Sequence, residues 1–201
     1  HYSFISKEND FFYFEDEFGG IKLSKPNLLG EFQLENISTA IATARQLKNY
    51  KITDEHIKSA ITKIESIARL QEIKSGAVKN LVKNNQIFVD GSHNPLGAQV
   101  LNRYLNSLNC RKHIILGMMS NKNHNEYFSY FKNIETLTTI DIPNQPNAIK
   151  GKDLKEKINN FPNIKYKKSL EEAISSLNLQ GNDIILVTGS LYLAGEVLNL
   201  N

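Results

Sequence analysis

Val89-Asp90-Gly91-Ser92-His93-Asn94-Pro95 is where residue types and spacing point most directly to chemistry. An apolar run ends at Asp90, and Asn94-Pro95 opens a helix, Asn as cap and Pro at the first helical position. Asp90 and His93 then sit at a strand's carboxyl end beside a helix N-terminus, where N–H groups and the helix dipole favour an anion such as phosphate. An Asp there can accept from ribose hydroxyls. The plainer alternative is that Asp90 and Asn94 only satisfy a turn and a cap.

Other segments offer weaker signals. Ile184-Ile185-Leu186-Val187-Thr188-Gly189-Ser190 is a second strand running into a helix; Gly189 permits a sharp turn, and Ser190 can touch a ligand or merely cap. Ile114-Ile115-Leu116-Gly117-Met118 ends in a glycine before polar Ser120-Asn121-Lys122-Asn123, and Lys122 could reach a phosphate or stay solvated. Leu29-Gly30-Glu31-Phe32-Gln33-Leu34-Glu35-Asn36 enters a helix with Asn36 near its cap. Arg69, one of four arginines, lies in Ala68-Arg69-Leu70-Gln71, where a guanidinium could clamp a phosphate. Absent are a G-x-x-x-x-G-K-[S/T] phosphate loop, a G-x-G-x-x-G turn and a Cys/His metal cluster.

These residues need strands and helices to position them. Tyr2–Ile5, Phe11–Phe14 and Ile21–Leu23, with a turn at Glu17–Gly20, read as short antiparallel strands. Helical spacing follows at Ile37, Ala40, Ile41, Ala44 and Leu47, and again at Ile57, Ala60, Ile61 and Ile64, with Asp54 as the second cap. Their apolar stripes need partners, and the few strands nearby predict an exposed apolar patch over residues 1–67. A boundary falls in Ser66–Ile73. Beyond it, apolar runs at Gln86–Asp90, His113–Gly117, Leu137–Ile142 and Asp183–Thr188 alternate with helical patterns at Pro95–Leu108, Asn125–Asn133, Asp153–Asn159 and Leu170–Leu177. That alternation predicts an α/β fold with a doubly wound, mainly parallel sheet, whose strand carboxyl ends bind ligands. Pro143–Lys150 reads as a surface connection.

The 201 residues carry 24 basic and 21 acidic side chains, a net +3 that is too small to argue for nucleic-acid binding. A single cysteine, Cys110, excludes an internal disulfide and fits a reducing cytosol, so a cytoplasmic location is expected. No apolar run approaches the roughly 20 residues of a membrane span. His1 in place of Met leads us to expect a chain that begins inside a longer reading frame or has been trimmed.

Taken in order, Leu29-Gly30-x-x-Gln33-x-x-Asn36, Arg69-Leu70-Gln71, Asp90-Gly91-Ser92-His93-Asn94-Pro95, Leu116-Gly117-Met118 and Val187-Thr188-Gly189-Ser190-Leu191-Tyr192 resemble the C-terminal half of folylpolyglutamate synthase/dihydrofolate synthase, in the Mur ligase superfamily. The resemblance implies that residues 1–67 are the last strands and helices of a central ATPase domain, and that 68–201 form a C-terminal Rossmann-like domain. It implies an ATP- and Mg²⁺-dependent ligase that adds L-glutamate to dihydropteroate or a reduced folate through an acyl phosphate. The phosphate loop and most metal ligands would lie in a missing N-terminal part, leaving this piece inactive alone.

By the same resemblance Asn36 would lie near adenine, Arg69 would meet phosphate and Asp90 ribose. His93 would lie by the nucleotide or glutamate, and Ser190 on the glutamate side. None is expected to be catalytic, and neither a metal site, a nucleic acid nor a membrane is expected. Phe32 stands where the family usually has His, and Asn121-Lys122-Asn123 replaces Asp-Lys-Asp, which puts polar contacts around the nucleotide in question. Two alternatives stay open: a binding module or inactive remnant that pairs with a separate N-terminal half, and a cell-wall Mur ligase.

Overall fold

The computed structural model describes residues 1–5, 10–159 and 161–200, and the chain divides into two compact units, His1–Ser66 and Ile67–Asn201.

In the first unit β1 (Tyr2–Ile5), β2 (Phe11–Asp16) and β3 (Gly19–Ser24) form an antiparallel sheet in that order. Side chains alternate across a strand, so Phe12 and Phe14 of β2 and Ile21 and Leu23 of β3 all point into one core. Helices α1 (Phe32–Arg45) and α2 (Asp54–Ile61) lay Leu34, Ile37, Ile41, Ile57 and Ile61 onto it. The isoleucines of the stripes therefore have partners inside the unit, whereas Ala40, Leu47 and Ala60 of the same stripes are exposed, as are Tyr2, Tyr13, Phe18, Leu29 and Tyr50. Arg45 binds these parts together: Nη1 donates to Asp16 Oδ1 and the Gly19 carbonyl, each at 2.8 Å, and Nη2 to Asp54 Oδ1 at 2.7 Å.

Two caps differ from expectation. Helix α1 starts at Phe32, so Asn36 lies inside it and caps nothing. Before α2 the cap is Thr53, whose Oγ1 accepts from the His56 N–H at 3.3 Å. Asp54 is the first helical residue, where its charge complements the helix dipole.

The second unit is a six-stranded sheet between two helical layers. Its elements run β4 (Gln71–Glu72), α3 (Gly76–Val82), β5 (Gln86–Val89), α4 (Pro95–Asn106), β6 (Lys112–Leu116), α5 (His124–Ser129), β7 (Thr136–Ile140), α6 (Gly151–Lys157), β8 (Lys165–Lys167), α7 (Leu170–Ser175), β9 (Ile184–Thr188) and α8 (Leu191–Asn199). The spatial order is β4-β5-β9-β6-β7-β8; β4 is antiparallel to β5, and every other pairing is parallel. Period-2 alternation splits each central strand between two cores. Phe88, Ile114 and Leu186 pack with Leu101 and Leu105 of α4, whereas Val89, Ile115 and Val187 pack with Val78, Ala173 and Leu193 of α3, α7 and α8. Strands covered on both faces read as largely apolar runs, which is why β5, β6 and β9 could be found in the sequence; β7 is Thr-Leu-Thr-Thr-Ile and reads as a strand through its β-branched residues.

Pro143–Lys150 is more than a surface connection. It is tied to the end of β6 by Ser120 N–H to Asn147 O (2.9 Å), Ile149 N–H to Met118 O (3.1 Å) and a bridge between Met119 and Ala148.

At the amino edge of the sheet a closed ionic cluster locks β9 to β6. Asp183, just before β9, accepts from Arg111 Nε at 3.0 Å and Nη2 at 2.6 Å, and its Oδ2 lies 3.2 Å from His113 Nε2. The Gln180 N–H also donates to Asp183 Oδ2, and Asn85 Oδ1 accepts from the Asp183 N–H. Burial pushes Asp183 up, but the bonds from Arg111, Gln180 and His113 outweigh it and hold the carboxyl at about 2. Burial pushes the His113 imidazole down, so it stays neutral.

Candidate functional site

At the opposite, carboxyl edge, the chain leaves β5, β9 and β6 side by side, which brings the segments after Val89, Leu116 and Thr188 together. Backbone bonds join them: Gly189 N–H donates to Ser92 O at 3.1 Å, and Gly117 N–H to Thr188 O at 3.2 Å. Gly189 has φ +106°, and a Cβ there would stand 2.6 Å from the Gly117 carbonyl oxygen. Only glycine lets these strand ends approach so closely.

Asp90 was expected to face a ligand. It is turned inward instead, 3 % exposed, with Oδ2 accepting from the Leu70 N–H and Oδ1 from the Ser92 N–H, both at 2.7 Å. The reason lies 20 residues upstream, where Ala68 (φ +56°) and Leu70 (φ +47°) adopt left-handed conformations that curl the Arg69 turn over the end of β5. Gly91 N–H donates to the Ala68 carbonyl at 2.8 Å and closes the same turn. Asp90 thus braces a strained loop. Burial pushes its carboxyl above the ordinary value, against the pull of the two amides and of nearby Arg69.

Arg69, at the tip of this turn, is exposed. His93 is half-buried and its Nδ1–H donates to the Gly91 carbonyl at 3.0 Å. A carbonyl can only accept, so Nδ1 carries a proton in this bond, and Nε2 is the ring nitrogen left to meet a ligand. Asn94 caps α4, with Oδ1 accepting from Gly97 N–H at 2.8 Å, and Pro95 takes the first helical position. Ser190 is 1 % exposed and its Oγ accepts from the Tyr192 N–H at 3.1 Å, the capping alternative. Lys122 is half-buried in the loop before α5.

Arg69, Asp90, His93 and Ser190 therefore share one edge of the second unit. Asn36 belongs to the first, where it is exposed on α1 and its Nδ2 donates to Gln33 Oε1 at 3.1 Å. Gln33 is 4 % exposed, its Nε2 has no hydrogen-bond partner among the described residues, and it lines a shallow cleft with Lys25, Pro26, Leu28, Gly30 and Glu31. An unpaired buried amide is costly, so this donor is suited to an acceptor brought into the cleft. The sequence reading named Gln33 only as part of a motif.

One further side chain at the carboxyl edge does not stand out in the sequence. Tyr127, fully buried on α5, has its hydroxyl 3.1 Å from Ser92 Oγ and 2.8 Å from Thr188 Oγ1. Burial pushes that phenol far up, so it stays protonated. The only available signal was a polar-tipped aromatic in the otherwise apolar pair Tyr127-Phe128. Among the described residues no three His, Cys, Asp or Glu side chains converge as metal ligands, and no helix is long and apolar enough to cross a membrane.

Residues 69–191 match the glutamate ligase domain of the Mur ligases. Over 192 residues the chain is 27% identical to a folylpolyglutamate synthase of Lacticaseibacillus casei, an alignment that takes in 92% of this chain and 42% of that protein. The chain thus spans about two-fifths of this curated relative's length. Its fold is similar to that of E. coli FolC solved with DHPP and ADP (TM-score 0.78, 20% identity, 99% of this chain and 45% of that one). It is equally similar to the bifunctional folylpolyglutamate synthase/dihydrofolate synthase of Yersinia pestis solved with AMPPNP and a Mn ion (TM-score 0.78, 18% identity, 98% and 45%).

Proposed function

Since the chain belongs to the Mur ligase family, whose glutamate ligase domain it carries over residues 69–191, we propose that it is the carboxyl-terminal part of an ATP-dependent ligase that joins L-glutamate to dihydropteroate or a reduced folate. The observation that carries this reading is the carboxyl edge itself: Arg69, Asp90 and His93, gathered by one turn at adjacent strand ends, lie inside the matched segment.

The chemistry follows from the substrates. A carboxylate is a poor electrophile, so transfer of the γ-phosphoryl group of ATP first gives an acyl phosphate, from which the amino group of glutamate displaces phosphate. Charge on the transferring group needs cationic groups and Mg²⁺ around it. We assign Arg69, exposed on a braced turn, to phosphate, and His93, through Nε2, to the nucleotide or the incoming glutamate. Asp90 would serve the ribose side by fixing the Arg69 turn. Asn36, freed from any capping duty, and the Gln33 amide are assigned to adenine. Ser190 is assigned to the glutamate side, where its buried cap shapes the start of α8.

Residues 1–201 contain no glycine-rich phosphate loop, so the cradle for the β- and γ-phosphates and most Mg²⁺ ligands are assigned to a preceding segment. We therefore expect this chain alone to bind ATP weakly and to turn nothing over. The test is an ATP- and glutamate-dependent ligation assay on the protein extended upstream, with dihydropteroate and tetrahydrofolate tried separately. Glutamate addition to either supports the reading. Turnover by residues 1–201 alone would overturn the phosphate-site argument, and addition to a muramoyl precursor instead would place the protein with the cell-wall ligases.

A further inference from the structure

Tyr127 occupies a position where phenylalanine would pack as well. Its ring is fully buried and meets Phe131 edge-on with centroids 5.6 Å apart, in the apolar layer under α4 and α5. A phenol there costs desolvation unless its hydroxyl is paired. The two partners come from different strand ends, Ser92 from the turn after β5 and Thr188 from the last residue of β9.

We propose that Tyr127 is a positioning residue, whose hydroxyl clamps the Asp90–Asn94 turn to the Thr188–Leu191 turn and so fixes where His93 presents Nε2. The proposal rests on the ligase reading only for the use to which His93 is put. Ser92 is the hub of the clamp: its N–H is held by Asp90, its carbonyl by Gly189 N–H and its hydroxyl by Tyr127. The next residue along the chain is His93, already pinned through Nδ1 to the Gly91 carbonyl. With the tyrosine hydroxyl gone, Ser92 Oγ and Thr188 Oγ1 lose their shared partner, and the Gly189–Ser92 hydrogen bond is left to join the two turns beside the packing of Leu191 on Gly91. The result is a looser His93 without a change in the packing below it.

The test compares the 201-residue chain with its Tyr127→Phe, Thr188→Val and Thr188→Ser variants. Amide hydrogen exchange is read at Gly189 and in β6 and β7, the His93 ring is followed by NMR, and Mg-ADP is titrated. For Tyr127→Phe and Thr188→Val we expect Gly189 protection to fall about tenfold, the equivalent of one hydrogen bond, His93 signals to broaden, and β6 and β7 to exchange as before. Thr188→Ser keeps the hydroxyl and should match the parent chain. Unchanged Gly189 exchange in Tyr127→Phe would overturn the clamp. An equal loss of protection throughout β5–β9 would overturn it too, since it would mean packing alone. ADP separates the two claims: with Gly189 loosened as expected, ADP binding that weakens in step supports both, while absence of any ADP binding by the parent chain removes the nucleotide reading and leaves the clamp supported.

Discussion

The two edges of the second unit's sheet solve the problem of buried polar groups in opposite ways. At the amino edge, Asp183, Arg111 and His113 form a cluster whose charges cancel one another. At the carboxyl edge, Asp90 is satisfied by two backbone amides, the remaining links are neutral hydroxyls, and the cation Arg69 is left exposed on the turn that Asp90 holds. The difference is that the closed ionic cluster has its charges already paired, whereas the carboxyl edge fixes its backbone by turns and keeps the Arg69 charge exposed, which is why we propose it as the ligand side.

The largest effect should come from opening the closed edge. Asp183→Ala leaves the Arg111 guanidinium and the His113 ring without their shared acceptor, and we expect a loss of about 3 kcal/mol in urea unfolding. At the other edge, Asp90→Ala frees the buried N–H groups of Leu70 and Ser92, so about 2 kcal/mol should be lost there, together with nucleotide affinity, because the Arg69 turn loosens. Asp183→Ala melting with the parent chain would erase the distinction drawn above, and Asp90→Ala melting with it would remove the bracing role of Asp90.

Acidification sharpens the comparison, because the two carboxylates shift in opposite directions. Asp183 is held at about 2, against an ordinary 3.8, so its contribution is complete above pH 3.8 and is lost as pH falls towards 2. The lowered imidazole of His113 acts in the same sense: its contribution is complete above 6.5 and declines as pH drops below that value. Asp90 is raised, so stability tied to its protonated form is present below 3.8 and is lost as pH rises through its folded value. Stability measured from pH 7 down to pH 3 should therefore fall less steeply in Asp183→Asn and more steeply in Asp90→Asn. With Arg111 partly exposed and screened, the Asp183 share is on the order of 1–2 kcal/mol.

The smallest stability effect is expected at Arg69. Its side chain is exposed, so Arg69→Ala should change unfolding by less than about 0.5 kcal/mol, while ADP affinity drops roughly tenfold. Calorimetry on the same samples reads both quantities. A large loss of stability with unchanged affinity would make Arg69 part of the scaffold.

Much of this fold was legible because β5, β6 and β9 are covered on both faces and so read as apolar runs, each followed within two residues by a glycine, Gly91, Gly117 or Gly189. The short edge strands β4 and β8 were not: Gln71-Glu72 and Lys165-Tyr166-Lys167 are polar and bury little. At the site, spacing located Asp90, His93 and Arg69 but not their orientation. Asp90 points inward because of the Leu70 N–H, a contact across 20 residues made possible by two left-handed residues that carry no glycine to announce them. Asn36 was misplaced for a local reason, since α1 begins without any side-chain cap and Asn36 is the most cap-like residue nearby. Tyr127 escaped notice because its ring reads as core and only its hydroxyl acts at the strand ends.

The central claim, that the carboxyl edge is the nucleotide side and the amino edge is scaffold, is tested most directly by titrating the isotope-labelled chain with Mg-ADP and following amide and side-chain NMR signals residue by residue. The account predicts shifts at Arg69, Gly91, Ser92, His93 and Gly189, with Arg111, His113 and Asp183 unmoved. Shifts centred on Arg111, His113 and Asp183, or none anywhere at millimolar ADP, would contradict it.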